Sequence, residues 1–382
     1  MKKVVLITNI PTPYRIPLFN ELNSQMNERG WELFVIFSSS GYKRRNFKID
    51  YTEFNFNYTI LDGGLHSIGA DNEKTYFFYK GLWKTLKAEK PECIIVSGFS
   101  PASIQVALRS KLKGTPYVIW SGSIDKENRN TSWHRKVMRK FLIKHASSFV
   151  AYGSLAKKYL QNAGARSENI CIGINTVDTK YFSSKTLEFR AAAVDSKTAI
   201  FTFTYIGYLV PRKNVHRVLE AAVILLKKRK DFKIRIIGDG VSKSSLEEEC
   251  RKNHLENNIE FAGYIQKSEL PEYLAKSQVV LFQTDFDIWG LVLNEAMAAG
   301  VPCMASKNAG ATYDLIEDGK NGLITDFEDT FKTAEQMEWM MNNSSSILEM
   351  GKNAAITIEQ KASLKISAKG FIHAIELSLK EN

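Results

Sequence analysis

The stretch Val279-Val280-Leu281-Phe282-Gln283-Thr284-Asp285-Phe286-Asp287-Ile288-Trp289-Gly290-Leu291-Val292-Leu293-Asn294-Glu295-Ala296-Met297-Ala298-Ala299-Gly300-Val301-Pro302 decides how this chain is read. Four apolar residues at 279–282 make a buried strand, 283–289 a loop, and 291–299 a helix closed by Gly300, with Pro302 entering the next strand. Strand, loop, helix and strand in that order form one βαβ unit of a parallel sheet. At the start of the helix the N–H groups of Leu291 and Val292 have no carbonyl to bond. They sit at the positive end of the helix dipole, where a phosphate is favoured without any side chain. Gly290 leaves the backbone open to a bulky ligand. Glu295, one turn further on, is placed to accept hydrogen bonds from neutral hydroxyls such as those of a ribose.

Similar apolar runs recur on both sides of this unit, at 4–7, 33–37, 93–96, 117–120 and 148–152, then 201–206, 233–237 and 302–305, each ending near Gly, Pro or Ser. The expected fold class is α/β, with two Rossmann-like, doubly wound parallel-sheet domains and a substrate cleft between them. A chain of 382 residues exceeds what one core usually supports, which agrees with two domains. The rhythm breaks at 177–198, the expected connection, giving domains 1–180 and 181–361. A terminal helix over 362–382, with Leu364, Ala368, Phe371, Ile372, Ile375 and Leu379 as its apolar stripe, is expected to pack back on the first domain.

Composition narrows the function. Cys93, Cys171, Cys250 and Cys303 lie far apart with no ligand spacing, which argues against zinc and against a disulfide framework and suits a cytoplasmic location. The basic start at Lys2-Lys3 precedes too short an apolar run for a leader, and no uncharged stretch reaches the roughly 20 apolar residues of a membrane span. The net charge of +11 is uneven: residues 1–180 carry 27 Lys+Arg against 14 Asp+Glu, whereas 181–382 carry 25 against 27. The first half is therefore expected to face something anionic: an anionic membrane surface at the inner face of the plasma membrane, a diphospholipid-linked acceptor, or nucleic acid.

Asp287 and Glu295, with seven residues between them, and the surrounding Trp-Gly-Leu-Val-Leu-Asn-Glu-Ala-Met-Ala-Ala-Gly-Val-Pro, resemble the acidic-x7-Glu motif of the retaining GT-B glycosyltransferases often called family 4. The resemblance extends over most of the chain. Gly207 followed by Pro211-Arg212-Lys213-Asn214 is similar to the strand end and basic loop that neutralise a donor diphosphate, with Tyr208 where an Arg is usual. Gly238-Asp239-Gly240 and Gly263-Tyr264-Ile265 resemble loops around the nucleotide base, and Gly310, Asn321-Gly322 and Asn175-Thr176-Val177-Asp178 follow the family's further pattern. The resemblance implies a UDP- or GDP-linked nucleotide sugar as donor and transfer to a hydroxyl acceptor with retention, in bacterial surface-polysaccharide-like chemistry. The implied catalytic residues are Asp287, Glu295, Arg212 and Lys213. The implied donor contacts are Gly207, Gly238, Gly240, Gly263, Tyr264, Ile265, Gly290, Leu291, Val292 and Glu295. Asp285-Phe286-Asp287 also spells the D-x-D of a different, metal-dependent transferase fold, but it leads into a phosphate-binding helix with Arg212 and Lys213 nearby, so no metal or other cofactor is expected.

In the first half, Pro11-Thr12-Pro13-Tyr14-Arg15 follows the first strand, and Tyr14 and Arg15 are the acceptor-side candidates, Arg15 as a partner for a phosphate. No His stands near Trp120-Ser121-Gly122-Ser123, where relatives carry one, so that role is not transferred. Residues 134–145 read as a helix that is basic on one side, with Val137, Phe141 and Leu142 on the other. Two readings stand: an interfacial helix on anionic lipid, or a core-packed helix with a solvated basic face. Lys43-Arg44-Arg45 raises the same choice. Nucleic acid is the poorer partner because few aromatics lie among the charges. A nucleic-acid or small-molecule transferase and an inactive sugar-nucleotide-binding scaffold are the alternative functions.

Overall fold

The computed structural model describes all residues except 42–47, 69–73, 126–132, 193–199 and 381–382, and with them Lys43-Arg44-Arg45 lies outside the described residues. The chain divides into two units, Met1–Val177 with Leu364–Asn382, and Asp178–Ser363.

The first unit contains strands β1 (Lys2–Thr8), β2 (Trp31–Phe37), β3 (Asn57–Ile60), β4 (Leu65–Ile68), β5 (Lys74–Phe77), β6 (Cys93–Ser97), β7 (Tyr117–Ser121), β8 (Ser148–Ala151) and β9 (Ile170–Ile172). Its helices are α1 (Ile16–Asn27), α2 (Leu82–Glu89), α3 (Pro101–Lys113), α4 (Trp133–His145) and α5 (Ser154–Asn162). Seven strands form a parallel sheet in the order β3-β2-β1-β6-β7-β8-β9, and β4 and β5 make a separate antiparallel pair. The central strands are apolar throughout because both faces are covered. Val5, Ile7, Ile94 and Val96 pack on Leu82, Val106, Leu142 and Leu160, one from each of α2 to α5. On the opposite face Val4, Leu6, Val35 and Ile95 pack on Phe19 and Leu22 of α1 and on Phe371 and Ile375 near the C-terminus.

The second unit contains α6 (Thr179–Ala192), β10 (Phe201–Ile206), α7 (Val215–Leu226), β11 (Phe232–Ile237), α8 (Lys243–Lys252), β12 (Ile259–Gly263), α9 (Leu270–Ala275), β13 (Val279–Phe282), α10 (Leu291–Ala298), β14 (Cys303–Ser306), α11 (Gly310–Leu315), β15 (Gly322–Thr325), α12 (Thr330–Asn342) and α13 (Ser344–Ala362). Its six strands are again parallel, in the order β12-β11-β10-β13-β14-β15. In each sheet the chain first winds one way and then returns to the other side of its first strand, so β1 and β6, and β10 and β13, are neighbours whose following loops diverge. Such a point is where an open α/β sheet leaves a crevice for a ligand.

Two expectations change. The segment 177–198 is not a loose connection through 192, because α6 packs on α9, α10 and α13 within the second unit. Its buried positions are Thr179, Phe182 and Thr186, so the periodic signal that would reveal the helix is mostly polar. The other change concerns the strands: the edges β3, β9, β12 and β15 of the two parallel sheets, and the separate pair β4 and β5, have no counterpart among the expected apolar runs.

The terminal helix α14 (Leu364–Lys380) belongs to the first unit and lies against α1, β8 and β9. Two glycines permit the approach. A Cβ on Gly370 would lie 2.2 Å from the Ile172 carbonyl oxygen, and one on Gly173 2.6 Å from Val150 and 3.0 Å from the Phe371 ring. Ser367 donates to the Ile174 carbonyl at 2.6 Å and Ser148 to that of Ala374 at 2.7 Å, which satisfies hydroxyls buried by the contact. Gly370→Val therefore must push helix and strand apart and is expected to destabilise the first unit by about 1–3 kcal/mol. Urea unfolding followed by the buried Trp120 measures it; an unchanged midpoint would show that the close approach carries no weight.

Candidate functional site

The crevice of the second sheet is built from the loops after β10 and β13. After β10 the backbone passes Gly207 and Tyr208 to a single tight turn, Pro211–Lys213, which presents Lys213 inward and Arg212 outward. After β13 the loop 283–289 runs to Gly290, whose φ of +106° starts α10. Gly290 is required for a reason other than ligand approach: its left-handed φ, and a Phe282 ring that would lie 2.6 Å from an added Cβ. No side chain caps the N-terminus of α10 and no acid stands in its first turn, so no side chain takes up the N–H groups of Leu291 and Val292.

An ion pair joins the two loops. Lys213 Nζ donates to Asp287 Oδ2 at 2.6 Å and lies 5.0 Å from the Phe282 ring centroid. Burial lowers the Lys213 ammonium below the ordinary lysine value, and the Asp287 carboxylate pulls the other way. Asp287 is itself fixed: Oδ1 accepts from the Trp289 N–H at 3.3 Å, its N–H donates to the Asn308 carbonyl at 3.1 Å, and its carbonyl accepts from the Gly310 N–H at 3.2 Å. Arg212 is exposed; it donates to the Phe286 carbonyl at 3.1 Å, while its own carbonyl accepts from the Asp285 N–H at 2.9 Å. Trp289 is buried and donates from Nε1 to Asn294 Oδ1 at 2.9 Å, anchoring the loop to the helix. The two acids of Asp285-Phe286-Asp287 thus part company. One turns its main chain to Arg212, the other spends its carboxylate on an ammonium.

Glu295 lies one turn into α10, and among the described residues no hydrogen-bond donor reaches its carboxylate. Burial pushes its pKa up to about 7, against the opposing charge of Lys267. Gly207, Gly238 and Gly263 end three adjacent strands and are laced together: Gly207 N–H donates to the Ile237 carbonyl at 2.9 Å and Gly238 N–H to that of Gly263 at 2.8 Å. A Cβ on Gly238 would lie 1.8 Å from the Gly207 oxygen, and one on Gly240 2.4 Å from the Leu209 oxygen, so these glycines serve backbone packing whether or not a base lies above them. Tyr264 is exposed and Ile265 half-buried just beyond.

Sequence reading missed Gln283. It is fully buried at the end of β13 with neither amide atom hydrogen-bonded, and its one signal was a polar residue ending an apolar strand. The loop through Asn308, which holds the Asp287 backbone, carried no signal beyond Gly310.

In the first unit the acceptor-side candidates form a cluster at the ends of β1, β7 and β8. The Arg15 guanidinium stacks 4.0 Å from the Trp120 ring centroid and donates from Nη2 to the Tyr152 hydroxyl at 2.6 Å, with the Tyr14 ring 5.6 Å away. Arg15 Nη1, Thr12 Oγ1 and Trp120 Nε1 are buried without a hydrogen bond, three donors in one aromatic-walled group. Trp120 and Tyr152 were not assigned from sequence, since both lie inside strand runs that read as core.

Residues 188–357, most of the second unit, match the family model described as Glycosyl transferases group 1. Among curated proteins the chain is similar to N-acetyl-alpha-D-glucosaminyl L-malate synthase of Bacillus anthracis, 31% identical over 36% of this chain and 35% of that protein. It is also similar to alpha-D-kanosaminyltransferase of Streptomyces kanamyceticus, 26% over 42% and 41%, and to poly(ribitol-phosphate) alpha-N-acetylglucosaminyltransferase of Staphylococcus aureus, 27% over 42% and 32%. The matches thus span well under half the length of these relatives. Among solved structures it is similar to Anabaena HepE in complex with UDP, TM-score 0.78 at 18% identity over 98% of this chain and 100% of that one. Sucrose-phosphate synthase of Thermosynechococcus elongatus has a TM-score of 0.74 at 15% identity, with each chain covered to 100%. At such identities the likeness shows the fold, which is GT-B, with two Rossmann-like units.

The raised Glu295 pKa makes a stability prediction. A carboxyl whose folded pKa lies above its unfolded value is favoured while protonated, so it costs stability increasingly as pH rises from about 4.5 through about 7. Glu295→Gln, neutral at every pH, is expected to stabilise the protein by about 1–3 kcal/mol relative to wild type at pH 8 and by little at pH 5. Parallel denaturation curves at the two pH values check this, and an equal difference at both would refute it.

Proposed function

We propose that the chain is a retaining glycosyltransferase of the family 4 type, moving a sugar from a nucleoside-diphosphate sugar to a hydroxyl on a lipid-linked or surface-polysaccharide acceptor. The observation that carries this reading is the convergence of Lys213, Asp287 and the uncapped N-terminus of α10 at the strand-order reversal of the second sheet. A diphosphate laid there meets the N–H groups of Leu291 and Val292 and the Lys213 ammonium, with Arg212 at the rim. All are groups that gain energy as negative charge grows on a leaving diphosphate. Glu295, with no protein donor, accepts from ribose hydroxyls. Asp287, held from both sides and already sharing Lys213, offers its remaining capacity to hydroxyls of the transferred sugar. The acceptor hydroxyl attacks the anomeric carbon from the face the diphosphate leaves, and its proton passes to the departing phosphate oxygen.

The family match over most of the second unit supports the reaction class, and the naming of UDP in the HepE complex supports a uridine nucleotide as the first to try. The Lys213 to Asp287 pair supports metal independence, since a cation seeking Asp287 must displace an ammonium bonded at 2.6 Å. On the first unit, Arg15 with Tyr14 is the acceptor-side group, its free Nη1 suited to a phosphate or carboxylate oxygen.

A thermal-shift screen over UDP- and GDP-sugars should find a donor that raises the melting temperature. With that donor, Lys213→Ala and Glu295→Ala are each expected to lower kcat/KM by roughly 10- to 150-fold, the worth of one charge-assisted hydrogen bond. Turnover is expected to persist in chelator. Near-wild-type transfer by both variants would sink the assignment, and binding without any donor turnover would make the chain a sugar-nucleotide-binding scaffold.

A further inference from the structure

Helices α3 and α4 follow the consecutive neighbouring strands β6 and β7, so right-handed crossovers set them side by side and parallel on one face of the first sheet. Neither helix contains an Asp or a Glu. Their inner faces are conventional, with Ala102, Val106 and Ala107 of α3 and Leu142 and Ile143 of α4 in the core. Their outer faces are not. Ile104, Leu108 and Leu112, at every fourth position of α3, are 37%, 46% and 72% exposed, and Trp133 and Val137 of α4 are 75% and 57% exposed. Val137, expected on the packed side of its helix, faces solvent. Lys111 Nζ lies 5.4 Å from the Phe141 ring centroid, so the two helices run close together at this level. One turn back, Leu108 stands level with Val137, and two turns back Ile104 stands level with Trp133. The five apolar side chains therefore form one patch rather than scattered singles.

Cations surround that patch. Lys111, Lys113, Arg135, Lys136, Lys140 and Lys144 are exposed, and among the described residues none pairs with a carboxylate. We propose that the outer face of α3 and α4 docks on an anionic lipid bilayer, with Leu108, Leu112, Val137 and Trp133 entering the headgroup boundary and the lysines reaching phosphates around them. Charge decides against a second copy, because a two-fold contact through this face would press one set of cations against its twin. Aliphatic side chains decide against nucleic acid, which offers charge and stackable bases but no apolar layer for Ile104, Leu108 and Leu112 to enter. An exposed Trp beside long basic side chains suits the interfacial zone of a bilayer, apolar at depth and anionic above. No described helix is long and apolar enough to cross a membrane, so attachment through this face would be peripheral.

The proposal stands apart from the transferase reading and is tested on the full chain without a donor. Sedimentation with vesicles of equimolar phosphatidylcholine and phosphatidylglycerol at low salt is expected to carry the protein down, and pure phosphatidylcholine to leave it in solution. Lys136→Glu with Lys140→Glu should weaken the partition roughly fivefold or more per position. Leu108→Ser with Leu112→Ser should remove the binding that survives at high salt, where the electrostatic part is screened. Circular dichroism melting confirms that each pair leaves the fold intact, and Lys136→Gln with Lys140→Gln replaces the first should it unfold. No sedimentation with anionic vesicles, wild-type partition by both variants, or displacement of bound vesicles by duplex DNA would each overturn the proposal.

Discussion

Lys213 and Asp287 hold the second unit's site together. Their loops come from neighbouring strands that the chain reaches by different routes, and backbone bonds alone join them only through the Arg212 carbonyl. The ammonium is largely buried and over an aromatic ring, so it is charged at a cost that the carboxylate offsets; either partner left alone would be a stranded buried charge. The geometry at the start of α10 follows from this pair. Asp287 orients the Trp289 N–H, Trp289 anchors to Asn294, and α10 starts at Gly290 with its first amides pointing outward. A ligand phosphate would enter a field already arranged, with little reorganisation left at the moment of reaction.

Close backbone approach is the second constraint, and it operates twice. In the second unit Gly238 lets two strand ends draw together; a side chain there would have to occupy the Gly207 carbonyl. In the other unit Gly173 and Gly370 let the C-terminal helix settle on β9 and complete the core around Trp120. That same Trp120 stacks with Arg15, so the terminal helix supports the Arg15 cluster from behind. A buried guanidinium faced by phenols and, among the described residues, by no carboxylate is left with a donor to spare, which is a property of the packing and not of Arg15 alone.

Charge is partitioned between the units as plainly as structure is. The excess of basic residues falls in the first 180 residues. Much of it concentrates on α3 and α4, where acids are absent and apolar side chains stand among the lysines. Leu112 and Trp133 point outward among these lysines, so exposed charge and exposed apolar surface meet on this one face.

The central strands, their βαβ repetition and the Asp287 to Glu295 segment were legible from residues alone, because they rest on local signals: apolar runs covered on both faces, Gly and Pro at strand ends, and a helix start within a fixed motif. What failed was also physical. The edge strands β3, β12 and β15 are interrupted by polar residues or Gly, β9 is only three residues long, and α6 buries two threonines where a pattern needs aliphatics. Tertiary structure alone decided that Lys213 and Asp287, 74 positions apart, meet at 2.6 Å, that Trp120 and Tyr152 embrace Arg15, and that Val137 points outward. Each of these is a contact between elements. Local sequence sets which faces a helix or strand can offer, while the neighbour each face receives depends on strand order and packing across the sheet.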